Sequence, residues 1–214
     1  MLAWPIEKVN SSAPLRASAF SVRENEAVLS ICFSPSGSLM ASCASTGEVK
    51  IYQVSARSDR PNWPLLRILR DSQEAEIEEF FTGCFLGESG LFLGAGKRKS
   101  RHAWNGKEND HSVLPGIVKV FDLKSGACVG RLSGVHLEEI LYLKAISDCE
   151  FLSCGQEGRL VRWKIDLKTR EVIERKVVNA GSMIFHVDVC ENLIIAAVDN
   201  YVKVFTLDSL RVSN

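Results

Sequence analysis

The sequence predicts an all-β fold built from four repeated strand–turn–strand units, and three observations predict it. The first is the stretch Phe151–Trp163, Phe-Leu-Ser-Cys-Gly-Gln-Glu-Gly-Arg-Leu-Val-Arg-Trp. It reads as a strand, a tight turn closed by Gly158, and a second strand ending on an aromatic. The second is that Ala41–Tyr52, Gly116–Asp122 and Ala196–Phe205 repeat this pattern. Each places an aromatic five residues after a turn residue: Gly47 and Tyr52, Gly116 and Phe121, Gly158 and Trp163, Asn200 and Phe205. The third is spacing. Phe121 and Trp163 are 42 residues apart, as are Trp163 and Phe205, while Tyr52 and Phe121 are 69 apart, the same period with an insertion of 27. A period of about 40–45 residues with four short strands per unit is the signature of β-propeller blades.

Composition sets the outer limits. The chain has 214 residues, 46% of them apolar, enough to build a core. Lys plus Arg equals Asp plus Glu at 26 each, so no global field favours nucleic acid or an anionic membrane. No apolar run approaches the roughly 20 residues of a transmembrane helix. Met1–Asn10 lacks the basic start and apolar stretch of a secretory signal. Seven cysteines stand at 32, 43, 84, 128, 149, 154 and 190, with no Cys-x-x-Cys pair and most inside apolar runs. They predict buried free thiols in a reducing compartment, cytoplasmic or nuclear.

The elements follow in order. In the first unit Val28–Phe33 is the inner strand, Ser34–Gly37 a turn, Leu39–Cys43 the second strand, Val49–Tyr52 the third and Leu65–Leu69 the outer. The second unit runs Phe81–Leu86, Leu91–Ala95, Ile117–Phe121 and Cys128–Leu132. The third runs Ile140–Leu143, Phe151–Cys154, Leu160–Trp163 and Val172–Val178, and the fourth Phe185–Val189, Leu193–Val198 and Val202–Phe205. Repeat limits are about 24–69, 79–132, 134–178 and 183–207 in one domain spanning 1–214. Val49, Val118, Leu160 and Val202 each stand two residues after the turn, where a strand packed on both faces needs an apolar side chain. The third unit replaces the Lys-then-apolar order of the others with Val161 before Arg162.

The residues that carry this pattern resemble the WD-repeat β-propeller family. Ser34-Pro35-Ser36-Gly37 is similar to the family's Ser-Pro-Asp-Gly turn, and Gly134-Val135-His136 to its Gly-His pair. The resemblance implies a polar tetrad in each blade: a turn Asp, the Gly-His histidine, a second-strand Ser or Thr, and the third-strand Trp. The third unit matches with His136, Ser153 and Trp163, but Gln156 stands at the Asp position. Ser45 stands there in the first unit and Asp199 in the fourth, beside Asn200, a residue type that tolerates the left-handed conformation. Tyr52, Phe121, Asp122 and Phe205 complete the expected structural repeat residues. In the family an N-terminal strand commonly closes the ring, a role Leu15–Phe20 would fill. Four units fall short of the family's usual seven. A truncated product, an incomplete arc and a partner that completes the ring all remain open.

No catalytic constellation is evident: there is no Gly-rich phosphate loop, no His-Glu-x-x-His and no Gly-x-Ser-x-Gly. His102, His111, His136 and His186 lack metal-ligand spacing. His136 is expected to be structural, and His186 to lie in an inner strand as a core or channel residue. No cofactor or metal is expected, and no enzymatic activity.

The distinctive feature is the insertion at 96–115, between the second and third strands of the second unit. Lys97, Arg98, Lys99 and Arg101 make its first half basic, with His102 and Trp104 behind them, and Glu108 and Asp110 follow. In the family such loops lie on the face where partners often dock. Three readings stand: a solvated loop, a partner-binding loop anchored by Trp104 and the arginines, and a nuclear-localisation or nucleic-acid patch. Some family members are substrate receptors of ubiquitin ligases, marked by Trp-Asp-x-Arg. Here Phe121-Asp122-Leu123-Lys124 replaces both Trp and Arg, which weakens that reading. The expectation is a non-enzymatic scaffold in a multiprotein complex, with a nucleic-acid-associated nuclear factor as the alternative.

Overall fold

The computed structural model describes residues 26–54, 63–73, 78–98 and 114–212. Among these residues there are fifteen β-strands and no helix. The first sheet is β1 (Val28–Phe33), β2 (Leu39–Ala44), β3 (Glu48–Gln53) and β4 (Leu65–Arg70). The second is β5 (Glu78–Phe85), β6 (Leu91–Arg98), β7 (Val118–Asp122) and β8 (Cys128–Leu132). The third is β9 (Ile140–Ala145), β10 (Glu150–Gly155), β11 (Arg159–Ile165) and β12 (Val172–Asn179). The fourth has three strands, β13 (Ile184–Cys190), β14 (Leu193–Val198) and β15 (Tyr201–Thr206). Every sheet is an antiparallel meander paired in chain order. Leu15–Phe20 lies outside the described residues.

The boundary that bears on the insertion differs from expectation. Gly96, Lys97 and Arg98 do not begin a loop; they extend β6, opposite Phe80, Glu79 and Glu78 of β5. Glu79 faces Lys97 across the ladder, an opposite-charge pairing that favours continued strand. β6 therefore runs to Arg98.

Side-chain alternation divides each sheet into two apolar faces. The sheets stack through three apolar layers. Ala41, Cys43, Val49, Ile51 and Leu69 of the first sheet meet Phe80, Phe92 and Phe121 of the second. Leu91, Leu93, Val118 and Val120 meet Ile140, Phe151, Val161 and Trp163 in the next layer. Leu152, Cys154 and Leu160 meet Ile184, Val187, Ile194, Ala196 and Phe205 in the last. The order has a direction. Phe121, Trp163 and Phe205 point back to the preceding sheet, while Val49, Val118 and Leu160 point forward to the next. First strands are neighbours throughout, β1 by β5, β5 by β9 and β9 by β13. Thr82 Oγ1 on β5 accepts the Leu143 N–H of β9 at 3.1 Å.

The turn after the third strand is built the same way three times. The N–H groups of Gly126, Arg170 and Leu210 donate to the carbonyls of Asp122, Asp166 and Thr206 at 2.8, 2.9 and 2.9 Å. Each donor sits at positive φ, 78°, 65° and 52°. Asp122 Oδ1 also accepts the N–H groups of Lys124 and Ser125 at 2.7 and 2.9 Å, which caps its turn. These hydrogen bonds, that from Ser125 first, hold the Asp122 carboxyl below its ordinary range.

Candidate functional site

The third sheet brings His136, Ser153 and Trp163 together. Phe151 and Trp163 are cross-strand partners on β10 and β11, with rings 5.8 Å apart and 9° from parallel. This places the indole against Ser153, two residues along β10 on the same face. An indole only donates and a carboxylate only accepts, so the direction of the chain is set. Trp163 Nε1–H donates to Ser153 Oγ at 2.7 Å, and that hydroxyl lies 2.6 Å from His136 Nε2. His136 Nδ1 lies 2.5 Å from Glu157 Oε1. With Nδ1 protonated, Ser153 donates to Nε2 and each link is used once.

The acidic member is Glu157 and not the residue at Gln156. Gln156 N–H is committed to the Glu139 carbonyl at 3.0 Å, just before β9. Ser45 and Asp199 use their N–H groups in the same way, on Ala27 at 3.1 Å and Met183 at 3.0 Å. The position expected to supply a carboxylate thus ties the turn to the start of its own sheet. In the fourth unit the left-handed residue is Asp199, at φ 51°, and not Asn200. Gly158 follows Glu157 at φ 81°, and a Cβ there would stand 2.6 Å from the Ser182 carbonyl oxygen.

Ser153, His136 and Glu157 stand in the order of a serine-hydrolase relay. Their burial gives them a different role. Ser153 is 0% exposed and its oxygen already accepts the indole N–H, so no substrate carbonyl reaches it. The chain acts as a buried strut between the segment before β9 and the middle of the sheet.

A second buried polar centre was not legible in the sequence. Asp71, directly after β4, receives Lys119 Nζ of β7 at 2.7 Å and Arg131 of β8 through Nε at 2.8 Å and Nη2 at 2.5 Å. Lys119 is 1% exposed, so Asp71 is the counter-charge to a cation inside the protein. Burial alone would raise the Asp71 carboxyl, but the hydrogen bonds from Arg131 and Lys119 outweigh it and hold it well below the usual range. Lys203 occupies the matching position on β15 and donates to the Ala180 carbonyl at 2.6 Å, after β12. In the third sheet Val161 holds that position, and Arg159 donates instead to the Val135 carbonyl. Each tether links a sheet to the strand connection behind it. This explains the altered order at Val161-Arg162.

Of the expected partner-binding residues, Lys97 and Arg98 lie on β6, and Lys97 Nζ is 3.6 Å from Glu139. Lys99, Arg101, His102 and Trp104 lie outside the described residues. A shallow surface cleft with no room for a water molecule is lined by Glu79, Phe80, Lys97, Arg98 and Ile117 among others. His186 is exposed on β13, its ring centroid 3.9 Å from that of Tyr142 on β9, beside the Lys144–Asp188 ion pair at 2.6 Å.

Cys32, Cys43, Cys84 and Cys154 pack in or beside the apolar layers, and all seven cysteines are free thiols. Burial pushes Cys32 and Cys154 up to about 12. Among the described residues no group of three or more His, Cys, Asp or Glu is arranged to hold a metal ion. No helix among them is long and apolar enough to cross a membrane. No protein-family model matches the chain, and no curated protein matches it.

Proposed function

We propose that the chain is a non-enzymatic scaffold of the WD-repeat β-propeller type that holds protein partners in a multiprotein complex. The supporting observation is the direction of packing. Phe121, Trp163 and Phe205 reach back, Val49, Val118 and Leu160 reach forward, and the four first strands lie side by side. Sheets stacked in that order are how propeller blades succeed one another. The His136–Ser153–Trp163 strut, closed by Glu157, supports the same reading, since it matches the blade tetrad with a one-residue shift of its acid.

Partners would dock on the turns between second and third strands and on the 96–115 insertion, where Trp104 and the basic run supply anchor residue types. The test is affinity capture of partners from cells on the intact chain and on one lacking residues 99–113. Loss of specific partners with an unchanged melting temperature is the expected result. Retention of all of them, with turn substitutions equally silent, overturns the reading. Salt dependence separates the nucleic-acid alternative: capture through phosphate contacts falls steeply as salt rises, and capture through an apolar anchor does not.

A further inference from the structure

No further inference is drawn: the strongest candidate, the side-chain cluster of Tyr142, Lys144, His186 and Asp188 where β9 and β13 lie side by side, is taken up by its own contacts, the Tyr142–His186 ring pair and the Lys144–Asp188 ion pair, and nothing among the described residues points to a ligand for it.

Discussion

Trp163 and His136, 27 positions apart in the sequence, meet on one oxygen: Ser153 Oγ lies 2.7 Å from the indole nitrogen and 2.6 Å from the imidazole Nε2. Both rings are buried to 1% exposure. Removing that oxygen leaves two buried polar groups without their shared partner. Ser153→Ala is expected to cost roughly 2–3 kcal/mol, within the range for unsatisfied buried groups. Trp163→Phe keeps much of the packing against Phe151 and deletes one donor, so its cost is smaller, about 1–2 kcal/mol. Urea denaturation of the two variants checks the order. Equal costs would show that ring volume, and not the hydroxyl, dominates.

Asp71 and Lys119 predict an asymmetry. Asp71→Ala removes the carboxylate 2.7 Å from the 1%-exposed Lys119 ammonium, and breaking a buried pair from one side costs about 3–5 kcal/mol. Lys119→Met leaves Asp71 with Arg131 and an apolar side chain in an apolar sheet, and is expected to cost much less. The ratio of the two in a denaturant series is the measurement.

The same carboxylate sets a pH dependence. Its folded-state value lies below its unfolded one, so the unfolded chain takes up a proton first as pH falls. The stabilisation is complete above the unfolded value of about 3.9 and is lost progressively below it. Asp122, Asp188 and Glu150 are shifted in the same direction and add to the slope. The melting temperature of the wild type is expected to be level above pH 5 and to drop below pH 4. Asp71→Asn starts lower and drops less.

Thiol reactivity divides the cysteines. Cys43, Cys84 and Cys154 are buried, and burial raises all three, Cys154 to about 12. Cys190 is exposed. Brief alkylation at pH 8 is expected to label Cys190 first and to leave the three buried thiols unmodified until denaturant is added, as read by peptide mass spectrometry.

Gly158 is required by position as well as by conformation. A methyl group there meets the Ser182 carbonyl at 2.6 Å and the residue already sits at φ 81°. Gly158→Ala is expected to lower stability by more than about 1 kcal/mol. At Gly37, where φ is also positive but a Cβ meets nothing within 4 Å, Ala is expected to cost less. Paired thermal melts compare the two.

The strands were legible because their signal is local. Alternation, turn glycines and the 42-residue spacing of Phe121, Trp163 and Phe205 are all carried by neighbours along the chain, and the ladders begin within a few residues of where those signals stand. His136, Ser153 and Trp163 were legible as a set through the resemblance to the WD-repeat family, whose tetrad positions they match. Three other features depend on which segments become neighbours in space, and no local pattern encodes that. Glu157, one residue past the expected position, closes the strut because the folded turn sets its carboxylate against His136 Nδ1. Asp71 meets Lys119 and Arg131 because stacking the second sheet on the first carries β7 and β8 over the end of β4. Val202 is exposed and Val49, Val118 and Leu160 are buried, though all four hold the same place in the repeat. The repeat determines the side chain; only the presence of a following sheet decides whether water is removed from it.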